Sequence, residues 1–341
     1  MTLWIEWFRC LHALRNACAR RASFLWLAVV VTTMAIRADL LGVTSFVRAA
    51  FLEPFCYPLL LHFFHSSALA LHSLRDCWVR LVLSLFQPVT VGDYLVLVAD
   101  GLKVAKEGRK MPAVKSLHQE SANNSKPEFI MGHSFQALAL LVHAARGQVF
   151  AVPLLSRICE GLIWTRTSRQ RSLLDKLVVL FQEVTHAMQR PALLVADAYY
   201  ASHKVIDPLL AGGHHLVTRV RSTSVAYRPV GPPAVRRRGR PRKYGEKVRL
   251  RDLFKGWQSF REAQSPVYGE HDVTIQYRCV DLLWRPVGRV VRFVLIKHPS
   301  RGNIILLATD LTLDPLTVIS IYGLRFKIEV SFKQALLFRT A

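Results

Sequence analysis

Apolar and polar positions change rhythm along this chain. From residue 1 to about 88, apolar residues dominate without β-like alternation, and Arg15, Arg20 and Arg21 interrupt them, which predicts helices. Pro54 and Pro58 mark a break within this stretch. The segment Phe24–Ile36 is nearly all apolar, between Arg21 and Arg37. It is shorter than the roughly 20 residues a spanning helix needs, and no clear small-residue cleavage site follows it. It is therefore expected to be a buried helix of an N-terminal domain, residues 1–88.

Beyond residue 88 short apolar runs take over. Tyr94–Ala99 ends in Asp100, and Phe129–Val142 and Gly147–Leu154 follow as two further strands, with an Ala-Arg-Gly turn before the second. A polar loop, Glu107–Glu128, separates the first two. Leu173, Leu177, Phe181 and Val184 then recur at helical spacing up to Pro191. Ala192–Ala196 is another apolar run ending in an acid, Asp197. A helix from about Ser202 to Leu210 closes at Gly212 and Gly213, and His215–Val220 is a further strand. Three strands, helix, strand, helix, strand describes an α/β sheet with hairpins first and crossovers later. That order resembles the ribonuclease-H-like fold, a mixed sheet with flanking helices, and its first part is assigned to residues 89–220. Residues 221–303 are expected to be a β-rich insertion with a basic loop, containing runs Asp272–Trp284 and Val290–Lys297. Residues 304–341 hold a last strand, Asn303–Thr309 at its start, and a helix from Pro315 to about Phe338, opened by an Asp314 N-cap.

Composition narrows the function classes. Of 341 residues, 51% are hydrophobic, enough for a packed core and unlike a disordered chain. Lys plus Arg number 46 against 23 acids, a net charge of +23, which points to a polyanion and first to nucleic acid. The six cysteines, Cys10, Cys18, Cys56, Cys77, Cys159 and Cys279, form no CxxC pair and have no metal-spaced histidine. They are expected to be reduced, mostly buried thiols of a cytoplasmic protein, with neither a zinc site nor a disulfide framework.

Asp100 and Asp197 share a context, each closing an apolar run. Acids at the ends of buried strands sit where open α/β sheets bind ligands. Two on neighbouring strands supply the oxygen ligands that hard cations require. Either acid alone also suits a turn or an N-cap. Tyr322, Arg325, Glu329 and Lys333, spaced three, four and four apart, form one stripe on a helix, with Phe326, Val330 and Leu337 left to face the core. From spacing alone that stripe reads first as a solvated face of i,i+4 charge pairs and second as a third carboxylate brought to the two aspartates. Asp310 ends an apolar run as well, and is expected in the turn leading to the last helix.

The segment Tyr322–Glu329 resembles the signature of one large branch of the DDE transposases of bacterial insertion sequences: Tyr, two residues, Arg, three residues, Glu, six residues, Lys. The surroundings of Asp100 (Val98–Lys106) and of Asp197 (Leu194–Ser202) resemble those of that branch's two aspartates, and Gly132-His133 falls where the branch has its second strand. The likeness runs from about Leu95 to Lys333, with the three acids in order and a β-rich insertion before the last. The sequence departs at position 336, where Leu336 replaces the signature lysine, and Lys333 stands one turn earlier on the same stripe. The final helix is expected to be cut short at Ala341.

The resemblance implies a catalytic and metal-binding set of Asp100, Asp197 and Glu329, holding two Mg²⁺ or Mn²⁺ ions for cleavage and strand transfer on DNA. It implies that Tyr322, Arg325 and Lys333 grip the DNA end. Its partners would be double-stranded DNA, both element ends and target, and a second copy of the chain when active, with no membrane and no small-molecule substrate. The N-terminal helices would bind DNA ends or simply pack. The run Arg236, Arg237, Arg238, Arg240, Arg242 and Lys243 resembles a minor-groove hook around Gly239-Arg240-Pro241, although phosphate contact alone requires only its charge. Trp257 and Trp284 are candidates for stacking on a base, and Trp284, in a strand-like run, for the core. The alternatives are an inactive DNA-binding remnant and a simple ribonuclease-H-like nuclease; a membrane protein is a distant third.

Overall fold

The structure is a computed structural model that describes residues 2–37, 42–106, 108, 111–118, 127–159, 172–231, 242–256 and 259–337. The first part is helical, as its pattern predicts: α1 (Thr2–Ala13), α2 (Arg21–Ile36), α3 (Thr44–Ala49), α4 (Cys56–His65) and α5 (Leu71–Leu85). These helices enclose a small core that includes Leu14, Phe24, Leu27, Phe46, Leu60 and Phe63. The apolar segment Phe24–Ile36 lies in α2, which buries Phe24, Leu27 and Val30 and leaves Leu25, Met34 and Ile36 exposed. Among the described residues no helix is long and apolar enough to cross a membrane. Helix α5 joins this part to the rest: Cys77 and Leu81 enter the small core, and Val79 and Val82 enter the main one.

The main core is built on one mixed sheet. Its strands are β1 (Gln87–Pro88), β2 (Thr90–Val91), β3 (Tyr94–Ala105), β4 (Lys115–His118), β5 (Phe129–His143), β6 (Val149–Ile158), β7 (Ala192–Ala196), β8 (His215–Arg219), β9 (Val225–Tyr227), β10 (Lys247–Arg249), β11 (Arg261–Gln264), β12 (Thr274–Trp284), β13 (Arg289–His298) and β14 (Gly302–Ala308). The order along the sheet is β1-β5-β3-β7-β8-β14-β13-β12-β9-β10, with β2, β4, β6 and β11 paired outside that path. Among the described strands only β3 with β7 and β7 with β8 run parallel. Parallel neighbours need a crossover, and α6 (Leu173–Met188) and α7 (His203–Ala211) are spaced along the chain to provide one on either side of β7. Both pack on the face that carries Leu95, Leu97 and Ala99 of β3. Helices α8 (Pro315–Gly323) and α9 (Lys327–Leu337) cover the other face, against Val96 and Val98. This two-sided burial explains why β3 and β7 read as continuous apolar runs.

Local chemistry fixes the ends of several elements. Ser172 and Asp175 form a reciprocal capping box at the start of α6, and its C-cap Gln189 adopts φ 53°. Asp314 caps α8, accepting from the Leu316 and Thr317 amides, with Pro315 in the first turn. At Gly132 any Cβ would lie 2.3 Å from the Val104 carbonyl oxygen, so the close approach of β5 to β3 there admits only glycine.

Three expectations are corrected. Strand β3 does not stop at Ala99 but continues to Ala105, because Leu102 and Val104 keep the alternation and the long β5 stays paired with it past Asp100. The strand expected from Gly147 begins at Val149, since Arg146 (φ 60°) and Gly147 (φ 70°) form the turn. The last helix is broken by a 3-10 turn at Leu324–Phe326. Glycine is a poor helix residue, and Gly323 lies where a Cβ would stand only 3.0 Å from Val267. The buried side of this segment is consequently Leu324 and Ile328, with Phe332 packed against the core, while Phe326 and Val330 are exposed. The strands of residues 221–303 extend the central sheet through the long β12–β13 and β13–β14 pairings. Trp284 is buried in the main core; Trp257 lies outside the described residues. Of the cysteines, Cys18, Cys56, Cys77 and Cys159 are buried and Cys279 is exposed.

Candidate active site

Asp100 and Asp197 come together through sheet register. In the parallel pair β3–β7, Leu95 faces Ala192 and Val98 faces Val195. Carrying that offset two residues further brings Asp100 and Asp197 to the same end of the two strands, where both border one cleft and the Asp197 charge acts on the Asp100 carboxyl. Strand β7 ends at Ala196, so Asp197 leaves the sheet into a 3-10 turn (Ala198–Tyr200) that its carboxylate caps, accepting from the Tyr199 amide at 3.0 Å. The Thr218 hydroxyl donates to the Asp197 carbonyl at 2.6 Å and ties this turn to β8. Asp100 stays within its strand. Its side chain is on the same face as Val96 and Val98, toward α8 and α9, and accepts from the Gly101 amide at 2.8 Å.

The third acid is linked to the first by an arginine. Arg325 donates through one nitrogen to Asp100 Oδ2 at 3.0 Å and through the other to Glu329 Oε1 at 2.6 Å. The expected i,i+4 spacing of Arg325 and Glu329 survives because Glu329 lies in the first turn of α9. Burial pushes the Asp100 carboxyl above the ordinary aspartate range; the Arg325 charge and the Gly101 amide oppose this, and the charges of Glu329 and Asp197 add to it. Burial disfavours the Arg325 cation, but Asp100 and Glu329 outweigh it and raise its pKa. Burial likewise raises the Tyr322 hydroxyl, against the pull of Arg325 and Arg219. Tyr322, Arg325, Glu329, Asp100 and Asp197 thus share one neighbourhood. Arg219, at the end of β8, joins them without having been anticipated from the sequence.

The three carboxylates are the hard oxygen donors that a divalent cation takes, so the residue types fit such an ion. Among the described residues, however, no three acidic, histidine or cysteine side chains stand close enough to share one in this arrangement. The Arg325 guanidinium lies between Asp100 and Glu329 and supplies the positive charge there.

Other anticipated residues lie elsewhere. Lys333 is exposed on α9, beyond Glu329, and no described ion pair includes it. Arg236, Arg237, Arg238 and Arg240 lie outside the described residues. Arg242 and Lys243 lead into β10, at the far end of the strand order from β3, where Arg242 donates to the Tyr244 carbonyl and Lys243 sits over the Tyr244 ring. Asp310 accepts from the amide and hydroxyl of Thr312, the turn role expected of it.

Residues before and after β12 support the site from behind. Glu270 accepts from Ser265 at 2.5 Å, lies 3.1 Å from the His298 ring nitrogen Nε2 and pairs with Arg301 at 2.5 Å. Burial opposes its ionisation, yet these partners together hold its carboxyl below the usual range. The loop they pin carries Val267, packed on Gly323, and Tyr268, whose ring lies 3.6 Å beneath the Lys327 ammonium. Gly323 and Lys327 bracket Arg325, so this loop backs the segment bearing Arg325 and Glu329. Periodicity carries no trace of such a network, because its members are separated in sequence and join only through sheet pairing.

No curated protein matches the chain. A model of the family described as DDE superfamily endonuclease matches residues 47–277, about two thirds of the chain; the match includes Asp100 and Asp197 and ends before Glu329. The chain belongs to the DDE superfamily endonucleases, a membership that implies DNA as the substrate and metal-dependent nucleotidyl transfer as the chemistry.

Proposed function

We propose that the chain is a transposase that cuts DNA at the ends of an insertion sequence and joins the freed 3′ ends to a target, with Asp100, Asp197 and Glu329 as its acidic triad. The observation that carries this reading is that Arg325 bonds both Asp100 and Glu329, while Asp197 lies near enough for its charge to act on Asp100. The three carboxylates would hold Mg²⁺ or Mn²⁺, two ions in the usual arrangement, which supply Lewis acidity toward the phosphate under attack. The chain's own part is positioning and charge. Asp197 is fixed by the Tyr199 amide, and Asp100 by Gly101 and Arg325. Arg325, with donors already spread between two carboxylates, can exchange one for a phosphate oxygen when DNA arrives. Tyr322 and Lys333 flank it as further contacts to the DNA end, and the basic run Arg236–Lys243 adds salt-sensitive grip on the backbone. Joining two ends requires two active sites, hence a homodimer acting on double-stranded DNA. The chromosome as substrate places this work in the cytoplasm.

The competing reading is a DNA-binding remnant that never cuts. It draws on the arginine that fills the space between Asp100 and Glu329. Incubating the purified chain with its own flanking DNA and Mn²⁺, beside Asp100→Ala, separates the two. Cleavage by the wild type alone is expected; binding without cleavage would leave the remnant.

A further inference from the structure

The helical part of the chain exposes more apolar surface than the sheet does. Among the described residues, more than half of the exposed large apolar side chains belong to residues 1–88. They are dense around α4. This helix holds no Lys, Arg, Asp or Glu, and it buries only Cys56, Leu60 and Phe63. Tyr57, Leu59 and Phe64 stay exposed, as do Pro58, His62 and His65. A helix that is apolar all round belongs in an interior, so most of α4 lacks the cover its composition calls for. Two phenylalanines extend this surface. Phe55, which opens the helix, is 67% exposed, and Phe51, between α3 and α4, is 95% exposed. Phe51 also has φ 50°, a left-handed conformation that is an outlier for a bulky residue. Backbone strain of this kind clusters at functional sites, and here it accompanies a ring that packs on almost nothing in its own chain.

Charge decides what can cover this face. From residue 49 to residue 74 the chain has no Lys or Arg and one acid, Glu53, although its net charge is +23. DNA is held by cations, and a helix that lies on a membrane carries them along its polar face; this stretch offers none to either. Two copies of so basic a chain repel each other over most of their surface, and an uncharged face is where they can meet without like charges in contact. A two-fold interface uses the same patch twice and must be complementary to itself, as an uncharged apolar face is. At roughly 200 Å² for an aromatic side chain, the exposed parts of Phe51, Phe55, Tyr57, Leu59 and Phe64 come to about 600 Å² per copy. A stable interface needs about 800 Å² per partner, and Pro58, His62 and His65 are exposed to provide the remainder. We infer that Phe51 and α4 form the face through which two copies of this chain associate, in the absence of DNA. The choice of a second copy rests on the proposed joining of two DNA ends; the inference adds where the copies meet, on the helices and away from the acids.

The test is sedimentation equilibrium of the full chain at micromolar concentrations, without DNA or metal. The wild type should be a dimer. Phe55→Asp should be a monomer, because it would bury two like charges in the shared face. Aspartate is favoured at the start of a helix, so α4 should survive this change, as circular dichroism would show. Phe51→Gly should weaken association about thirty-fold or more, the loss typical of an interface hot spot. It should also raise the melting temperature of the dilute monomer, because glycine adopts a positive φ freely and the lost ring packs on little within one copy. A wild type that stays monomeric, or that binds uncharged phosphatidylcholine vesicles through this face instead, overturns the inference. So does a dimer that survives Phe55→Asp, or one that Phe51→Gly leaves unweakened. Cleavage of flanking DNA in Mn²⁺ is read in parallel. Cleavage by a monomeric wild type removes the docking face but keeps the endonuclease reading, whereas a dimer dissolved by Phe55→Asp without any cleavage does the reverse.

Discussion

Arg325→Met tests how charge is balanced around the three acids. Methionine keeps much of the aliphatic length and removes the cation that lies 3.0 Å from Asp100 and 2.6 Å from Glu329. The side chains of Arg325 and Asp100 are 22% and 18% exposed. Breaking a fully buried pair from one side costs about 3–5 kcal/mol. The partial exposure here, and the ability of Asp100 to take a proton, reduce that to about 2–3 kcal/mol. Glu329, 53% exposed, adds little. For a chain of this size the loss corresponds to about 3–4 °C in Tm at neutral pH with chelator present. The pH dependence follows from the direction of the Asp100 shift. A carboxyl raised in the folded state binds more protons there than when unfolded. Stability therefore falls as pH climbs from the ordinary value of 3.8 through the raised one. Removing Arg325 raises that carboxyl further, so the deficit should grow across this window and vanish in acid, where Asp100 is protonated in both proteins. Mn²⁺ should then restore the variant more than it stabilises the wild type, because cations bound by the acids replace the missing charge. Saturation at a hundred times Kd would contribute about 2.7 kcal/mol. Thermal melts with and without Mn²⁺ across the acid range are the assay. A variant that melts with the wild type in chelator at neutral pH would refute the assignment of Arg325 as the charge that holds the acids together.

Asp100→Asn removes a carboxylate whose charge is opposed by burial and by two neighbouring acids, so its Tm at neutral pH should match or exceed that of the wild type while cleavage in Mn²⁺ is lost; a lowered Tm would show that Arg325 outweighs those penalties. Glu270→Gln removes a carboxyl held low in the folded state, whose stabilisation is present above its ordinary value of 4.5 and is lost as pH falls through the depressed folded value. The variant should be less stable at neutral pH and approach the wild type in acid, as read by melts over that window, and an unchanged difference across pH would remove the network from the account. Replacing Arg236, Arg237, Arg238, Arg240, Arg242 and Lys243 by glutamine should flatten the dependence of log K on log salt by about 0.9 for each DNA phosphate that is no longer neutralised; titrations at several salt concentrations that keep the original slope would show that the run does not touch DNA.

Much of this protein is determined within short stretches of sequence. Helices in the first 88 residues, the buried strands β3 and β7, the capping of α6 and α8, and the acids closing two apolar runs all depend on side-chain period and on groups a few residues apart. Such signals are local, and they hold wherever burial has one solution. Tertiary structure decided what depends on partners far along the chain. Pairing with β5 carried β3 past Asp100, so that the acid sits within a strand. Close packing of Val267 on Gly323 accompanies the break in the last helix, where Leu324 and Ile328 face the core and Phe326 and Val330 do not. A stripe of Tyr322, Arg325, Glu329 and Lys333 can be read from spacing, but not that Arg325 reaches across 225 positions to Asp100, nor that Glu270 and His298 back it from behind. Strand register and layer packing set these interactions. They place residues together according to which faces must be buried and leave no periodic mark on the sequence.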